Sequence, residues 1–162
     1  TERTSIARRP FRIDRVEFYV DELKPSSIEP RTTVYPISKL DVSQDEKEQR
    51  TIVAFETQRE PITGLSLVTP AENFSRSATV LAEELDAHGK PQWVQIATGT
   101  FTRFVVGSLE RTELKIAIPE SRRQRYRMML ENRDSPALEI TGVELSGPVY
   151  ELTYLAAPQQ AV

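Results

Sequence analysis

The sequence predicts an all-β protein: an antiparallel β-sandwich of the jelly-roll type with little or no helix. Along most of its length, short segments alternate apolar with polar side chains, which is the period of a strand with one buried face. About nine or ten such segments are separated by clusters of Gly, Pro, Asn and Asp, the residues that favour turns. The 162 residues suffice for one domain whose core needs no disulfide or metal to stabilise it.

A single domain is predicted to account for nearly the whole chain. Residues 1–10 are polar and rich in Arg, so we expect a loose N-terminal arm there. The β-sandwich domain is predicted over residues 11–156, and residues 157–162 are expected to form a C-terminal tail. Because the chain begins with Thr1 instead of Met, we also expect a piece of a longer protein or a processed product.

The first half of the chain predicts strands separated by turn residues. Residues 11–20 are apolar and β-branched, and they need one bulge to turn all their apolar side chains inward. Residues 32–40 predict a short strand that Pro36 confines to a sheet edge or a bulge, because proline cannot donate to the ladder. Residues 51–57 are apolar on both faces, as in the centre of a sandwich, and residues 62–69 alternate regularly.

One segment, residues 43–50, has helical character. Ser43 could cap a helix, with Glu46 three residues later at the spacing of a capping box. The segment carries no apolar stripe, so we expect at most one or two exposed turns. Its acidic side chains could bind Ca²⁺ through carboxylate oxygens, but the interleaved basic residues favour an exposed charged surface. Those acidic residues are Asp45, Glu46 and Glu48.

The second half continues in the same manner. A strand is predicted over residues 77–84, followed by a turn at 86–91 and a further strand at 93–96. Residues 100–111 have no regular alternation and are predicted to form an irregular loop. Residues 112–118 alternate again and predict the next strand.

The clearest pattern of all is a predicted β-hairpin of two long strands near the C-terminus. Residues 125–131 alternate along one strand, and residues 132–136 have the composition of a turn. The second strand covers residues 138–145, with a bulge expected at Gly142. A last strand is predicted at residues 150–154.

Composition excludes several classes of function. The formal net charge of −3 argues against a nucleic-acid backbone as the main partner. No apolar run is long enough to cross a bilayer, and no signal-peptide core is found in the sequence. The absence of Cys excludes thiol catalysis, disulfides and Cys-ligated zinc, although it does not locate the protein.

Three stretches resemble the galactose-binding-like jelly roll, the fold of discoidin-type domains and of many carbohydrate-binding modules. The first has a strand, a glycine-containing turn, then W-x-x-I and another glycine. Those positions are Gly89, Trp93, Ile96 and Gly99. The second stretch is RYRMML and the third is LEITGVEL, which are similar to a late strand and the closing strand of those domains. The resemblance covers about residues 50–146 and implies a fold that hosts sugar, lipid and protein binders alike.

The chain also resembles an uncharacterised bacterial envelope domain that pairs N-F-x-R with a late N-x-D-x-P-x-L turn. The matching residues are Asn73, Phe74 and Arg76, then Asn132, Asp134, Pro136 and Leu138. This resemblance implies a place in the cell envelope, either periplasmic or extracellular. Discoidin domains usually carry a disulfide that ties their ends, and the lack of Cys here is a departure from the animal lipid- and collagen-binding members.

Individual aromatic and titratable residues mostly predict structural roles. Trp93 is the only Trp and could be a platform for a sugar, but it begins a strand where the similar domains bury it. Phe74 and Tyr126 are likewise expected in the core, as are the two methionines of the same strand as Tyr126. His88 is the only His and lies in a turn, so we expect no acid–base catalysis through it.

Two other chemistries have weak support in the sequence. A glycosidase needs only two suitably spaced carboxylates, and 24 acidic residues make such a pair available without indicating one. A cluster of arginines could attract an anion, but an ordinary charged surface is the favoured explanation. Those arginines are Arg122, Arg123, Arg125 and Arg127.

A ligand site is predicted from the direction of the strands. If consecutive strands run alternately up and down from Ile62 onward, the loops at residues 70–76, 100–111 and 132–136 share one end of the sandwich. Guanidinium, amide and carboxylate groups in these loops are suited to sugar hydroxyls. The predicted ligand-binding residues are Asn73, Arg76, Arg103, Arg133 and Asp134. The alternative is that Arg76 or Arg103 fixes a loop by pairing with Asp134 or Glu72.

These observations favour a non-catalytic module that binds a carbohydrate or glycoconjugate within a larger bacterial envelope or secreted protein. We expect it to need no cofactor and no metal, and to contact other domains of the same protein. Neither nucleic acid nor membrane insertion is predicted. The alternative is a structural or protein-interaction module with no small-molecule ligand.

Overall fold

The protein is a sandwich of two antiparallel β-sheets. A computed structural model describes residues 31–151, and over this range it contains strands and no helix. The strands are β1 Thr32–Tyr35, β2 Lys39–Asp45, β3 Arg50–Glu56, β4 Ile62–Val68, β5 Phe74–Leu85, β6 Pro91–Val106, β7 Leu109–Glu113, β8 Lys115–Ser121, β9 Arg125–Glu131 and β10 Gly142–Pro148. The predicted fold class is therefore confirmed. The predicted arm, the strand at residues 11–20, the tail and all but the start of the strand at 150–154 lie outside the described residues.

The two sheets differ in width. The narrower sheet has four strands in the order β1-β10-β4-β8, and the wider has six in the order β2-β3-β9-β5-β6-β7. The first and last of the described strands are neighbours, since Thr32 lies opposite Pro148 in the β1–β10 ladder. The two ends of the described part of the chain are thus paired with each other.

The core lies between the sheets and is built by the alternation read from the sequence. Tyr126, Met128 and Leu130 of β9 are buried, as are Val53 and Phe55 of the neighbouring β3. The rings of Phe55 and Tyr126 stack with their centroids 5.3 Å apart. Stacked aromatic pairs of this kind stabilise a core beyond the area they bury.

The predicted strand at residues 32–40 is divided at Pro36. β1 ends just before this proline and is the edge of the four-stranded sheet, and β2 starts soon after it as the edge of the six-stranded sheet. Both halves are therefore edge strands, as the proline predicted. The chain uses the break to change sheets.

The helical character predicted for residues 43–50 is wrong. Residues 43–45 belong to β2 and Arg50 begins β3, so the segment is a β-hairpin. Its turn is stabilised by the Asp45 carboxylate, which accepts hydrogen bonds from the backbone N–H groups of Lys47 and Glu48, both at 3.2 Å. A capping box cannot hold a helix that has no apolar face to bury. Pairing with β3 stabilises the extended form instead.

The predicted hairpin of residues 125–145 is also wrong in its pairing. β9 pairs with β3 and β5 in the six-stranded sheet, whereas β10 pairs with β1 and β4 in the other sheet. Residues 132–141 cross from one sheet to the other, and Gly142 begins β10 rather than forming a bulge. The alternation was the same for any antiparallel partner, so it placed each strand but could not choose its neighbour.

Residues 100–111 form a hairpin, not the predicted irregular loop. β6 continues to Val106 and pairs with β7 beyond a turn at Gly107. The misleading pattern arises because apolar side chains here are not all buried, since Phe101 is in the core while Phe104 is exposed. A separate irregularity lies earlier in β6, where Val80 lies opposite Ala97 while the next residue, Leu81, lies opposite Gln95. Ile96 is therefore the extra residue, and the faces of β6 exchange at this point.

Candidate functional site

One end of the sandwich collects the loops that were predicted to form the site. The antiparallel pairings bring together residues 69–73, the turn at 46–49, the β6–β7 turn and the start of the crossing segment 132–141. We call this the loop end. The predicted residues Asn73, Arg76, Arg103, Arg133 and Asp134 all belong to it.

Arg103 and Asn73 are engaged by the backbone of the loop end. Arg103 donates through Nη1 to the carbonyl oxygens of Thr69 at 2.9 Å and of Ala71 at 3.4 Å. The Oδ1 atom of Asn73 accepts a hydrogen bond from the N–H of Val105 at 3.0 Å. These two side chains fix the segment between β4 and β5. Arg103 thus fixes a loop, but it donates to backbone carbonyl groups and not to the carboxylate of Asp134 or Glu72.

Arg76 is partly engaged. Its Nη1 donates to the carbonyl oxygen of Ser75 at 3.0 Å, and its Nη2 lies 3.4 Å from the carbonyl oxygen of Pro136. Its Nε is buried without a hydrogen-bond partner among the described residues. Arg76 therefore ties β5 to the crossing segment and still presents an edge to the loop end.

Arg133 lies between two small cavities. The first, of about 250 Å³, has Arg76, Ser77 and Glu131 among its lining residues. The second, of about 300 Å³, is lined by residues of the β2–β3 turn such as Gln49. Both cavities share Asn132, Arg133 and Ser135. We call them the loop-end cavities, and Asp134 lies beside them in the same turn without lining either.

Asn132 forms the fixed floor of the loop-end cavities. It is buried, and its Nδ2 donates to the hydroxyl oxygen of Thr51 at 2.9 Å. That hydroxyl donates in turn to Oε1 of Gln44 at 2.9 Å. The network joins β2, β3 and the start of the crossing segment. A satisfied buried network holds its members in one geometry, so the cavity floor is preorganised.

A third concave region lies on the outer face of the six-stranded sheet and was missed from sequence. It is a groove of about 610 Å³, which we call the sheet-face groove. The residues that form it include Lys39, Asp41, Ala54, Glu83, Trp93 and Arg127. It lies toward the end of the sheet opposite the loop end, because Glu83, Trp93 and Arg125 are near the other ends of their strands.

Trp93 belongs to this groove and not to the core, contrary to the prediction. Trp93 and Phe101 are an even number of residues apart, so simple alternation would turn both inward. The bulge at Ile96 breaks the alternation, and only Phe101 is buried while Trp93 lies half-buried on the outer face opposite Glu83. Nothing in the sequence marks Ile96 as a bulge.

Charged side chains surround Trp93 in ordered pairs. The guanidinium of Arg127 lies over the indole ring, 4.2 Å from its centroid. The guanidinium of Arg125 lies 3.7 Å from a carboxylate oxygen of Glu56 and 3.4 Å from one of Glu83. Cation–π and ion-pair contacts of partly exposed groups are individually modest. Together they restrain Arg125, Arg127 and the carboxylates of Glu56 and Glu83.

The aromatic and methionine residues that were predicted in the core are mostly buried there. Phe74, Tyr126 and Met128 are buried as predicted, whereas Met129 lies half-buried on the outer face. Burial raises the pKa of the Tyr126 hydroxyl above its ordinary value, although that hydroxyl donates to Ser121 Oγ at 2.8 Å.

The other charged candidates lie on the surface. His88 is exposed in its turn, and its Nδ1 is 3.9 Å from a carboxylate oxygen of Asp86. Arg122 pairs with Glu120 at 3.0 Å and Arg123 pairs with Glu84 at 2.7 Å, as in an ordinary charged surface. Within residues 31–151, no group of three or more His, Cys, Asp or Glu side chains is arranged to hold a metal ion. The same part of the chain has no helix with the length and apolar character needed to span a bilayer.

Comparison with solved structures finds the same fold elsewhere. A structure described as truncated AlyQ with CBM32 and alginate lyase domains has a TM-score of 0.52 at 11% sequence identity, over 79% of this chain and 36% of that one. A second, described as the CBM32 of AlyQ in complex with 4,5-unsaturated mannuronic acid, has a TM-score of 0.46 at 10% identity, over 70% of this chain and 97% of that one. No family model and no curated protein sequence matches the chain.

Proposed function

We propose that this domain is a non-catalytic module that binds a carbohydrate or glycoconjugate at its loop end. The observation that carries the proposal is the position of Arg133 between the two loop-end cavities over a fixed floor. No hydrogen bond or ion pair within residues 31–151 engages its guanidinium. A planar group with several donors is suited to neighbouring sugar hydroxyls.

The five residues predicted from sequence have different roles in this proposal. Arg133 and Asp134 contact the ligand, Arg133 as donor and Asp134 as acceptor. Arg76 contributes its exposed edge while it holds the crossing segment. Asn73 and Arg103 position the loop and do not contact the sugar, because backbone groups already occupy their polar atoms.

The fold supports a binding role without specifying the ligand, since one fold hosts many functions. One similar structure contains a CBM32 domain together with an alginate lyase domain, which makes sugars the first ligands to test. We propose a place outside the cytoplasm, periplasmic or extracellular, within a larger bacterial envelope or secreted protein. Other domains of that protein are its proposed partners, and the proposal involves neither nucleic acid nor membrane insertion.

The proposal is tested with a glycan array followed by calorimetry on the best ligand. Arg133→Ala is expected to weaken binding by about tenfold or more, which is the loss of a charge-assisted hydrogen bond, with little change in melting temperature. Arg111→Ala is the matched control, because Arg111 is also exposed but lies on β7 and pairs with Glu113 at 3.0 Å. Equal affinities for the native domain and the Arg133 variant would refute the loop-end site.

A protein-interaction role is the second candidate, and one observation favours it. The β6–β7 hairpin extends past the last pairing of β5, which is Phe74 opposite Arg103. Two large apolar side chains are exposed on it, Phe104 at 41% and Leu109 at 73%. Exposed apolar side chains on a projecting hairpin can dock on another protein. If no array glycan binds and Leu109→Ser abolishes association with the neighbouring domains of the full-length protein, this second function is supported.

A further inference from the structure

We infer that the sheet-face groove is a second saccharide site, and that it accepts a neutral sugar. The inference goes beyond the proposed function, because the groove lies toward the other end of the six-stranded sheet from the loop end. Arg127 is four residues before Glu131 on β9, and Glu131 lines the nearer loop-end cavity. Four residues of a strand span roughly 13 Å, so a single sugar ring in the groove does not reach that cavity.

The groove exists because a small side chain lies among long ones. Ala54 lies opposite Arg127 of β9 on one side and Asp41 of β2 on the other. Because the side chain of Ala54 is a single methyl group, the floor of the groove lies close to the backbone of β3. The longer side chains on the two neighbouring strands form the walls. The resulting volume of about 610 Å³ is within the range of small-ligand sites.

Trp93 supplies an apolar surface at one wall. The indole is half-buried, and the guanidinium of Arg127 lies over its ring at 4.2 Å. That guanidinium covers one face of the ring and holds it in place, so a sugar would pack its C–H face against the part of the indole that stays exposed beside Arg127. An inorganic ion has no apolar face and would gain nothing from packing against the indole.

The charges of the groove favour a neutral ligand. Its cationic side chains and its carboxylates are equal in number, so the groove has no net charge. The cations are Lys39, Arg125 and Arg127, and the carboxylates are Asp41, Glu56 and Glu83. Ammonium and guanidinium groups only donate hydrogen bonds and carboxylates only accept them. A sugar hydroxyl does both, whereas an acidic sugar would meet the carboxylates and an amine would meet the cations.

Part of this arrangement is preorganised. Arg125 lies between the carboxylates of Glu56 and Glu83, which are held on neighbouring strands at 3.7 Å and 3.4 Å from its nitrogen atoms. Acceptors fixed before binding lose less freedom when a ligand arrives. The other explanation of the same contacts is a cross-strand ladder that only stabilises the sheet, and it predicts no ligand response.

Because Trp93 is the only Trp in the sequence, its fluorescence reports on this groove alone. The experiment titrates the domain with neutral hexoses and their β-linked oligosaccharides, and in parallel with hexuronates, while the emission of Trp93 is recorded. We expect a saturable change with a neutral sugar that is retained in Arg133→Ala. We also expect its affinity to change little between about 0.15 M and about 1 M salt, since the ligand carries no charge to screen.

Ala54→Leu is the decisive variant, because it fills the floor without altering a charge. It is expected to weaken the fluorescence-detected affinity by about tenfold or more. Ala117→Leu is its control, since Ala117 is exposed on β8 of the other sheet. If Ala54→Leu fails to fold, Glu83→Gln tests the same point by replacing an acceptor with an isosteric amide.

The outcomes separate this inference from the proposed function. Calorimetric binding that depends on Arg133 with no change in Trp93 emission overturns the groove and leaves the loop-end site intact. An emission change that survives Arg133→Ala and is lost in Ala54→Leu supports the groove, even if the loop end binds nothing. A response to hexuronates that exceeds the response to neutral sugars and falls with salt overturns the assignment of a neutral ligand.

Discussion

The guanidinium of Arg103 lies 2.9 Å from the carbonyl oxygen of Thr69. The hydrogen bond joins β6 to the segment that leaves β4, so it connects the two sheets at the loop end. Arg103→Ala leaves this carbonyl without its charged donor and is expected to lower the free energy of unfolding by about 1–3 kcal/mol. Urea denaturation measures the change. Arg133→Ala is the control and is expected to stay within about 0.5 kcal/mol of the native domain.

Phe74 and Trp93 are expected to differ in their contributions to stability, although both were predicted in the core. Phe74 is 4% exposed, and its replacement by Ala should cost about 3–5 kcal/mol through the cavity it leaves. Trp93→Ala removes a half-buried side chain and one cation–π contact, and we expect a loss of about 1–2 kcal/mol. Chemical denaturation of both variants compares them. Equal losses would mean that Trp93 packs inward after all.

The stability of the domain should fall at alkaline pH in part through Tyr126. Burial raises the pKa of this tyrosine in the folded protein, so the unfolded chain ionises first as pH rises past about 10. The stabilisation from the neutral hydroxyl is fully present below that pH and is lost as pH rises through the folded pKa. Tyr126→Phe removes this ionisation along with the hydroxyl's hydrogen bond to Ser121.

The measurement for Tyr126 is the free energy of unfolding of both proteins at several pH values between about 8 and about 11. We expect Tyr126→Phe to be less stable by about 1–2 kcal/mol at the lower pH, because a buried hydrogen bond is lost. The difference should narrow above pH of about 10. A difference that stays constant over the whole range would show that Tyr126 does not ionise with a raised pKa.

Gly147 is expected to tolerate no side chain. A Cβ atom at this position in β10 would lie 1.8 Å from the carbonyl oxygen of Pro61, which is backbone and cannot rotate away. Gly147→Ala should therefore cost about 3 kcal/mol or more, at the upper end of overpacking effects. Gly142→Ala is the control, because its nearest contact is the side chain of Val68 at an ordinary 3.5 Å. Thermal denaturation compares the two variants, and similar melting temperatures would contradict this expectation.

Side-chain alternation predicted the fold class and most strands, because the sequence of each strand by itself shows that one of its faces is buried. The alternation in β9 placed Tyr126, Met128 and Leu130 in the core. It could not place β9 next to β3 and β5, because partner choice depends on packing between segments far apart in sequence. The bulge at Ile96 was equally invisible, and one inserted residue sufficed to move Trp93 to the opposite face.

The candidate site was predictable only at the level of loops. Antiparallel strands with simple connections alternate in direction, so counting strands brought residues 70–76 and 132–136 to one end. The tasks of the individual arginines were not predictable, because Arg103 binds the backbone carbonyl of Thr69. Every residue has such a carbonyl, and the sequence does not indicate which of them will lack a partner. The sheet-face groove escaped prediction because its key residue had been assigned to the core.

The pairing of β1 with β10 also determines how the domain responds to mechanical force. Thr32 lies directly opposite Pro148, and Val149 donates to the carbonyl oxygen of Arg31 at 2.8 Å just beyond them. A pull that separates these two points loads the ladder at one extremity, so its hydrogen bonds break one after another like a zipper and do not share the load. Such a geometry yields at lower tension than strands sheared along their length. If neighbouring domains pull on both ends of the described chain, the β1–β10 ladder is the first of its contacts to open.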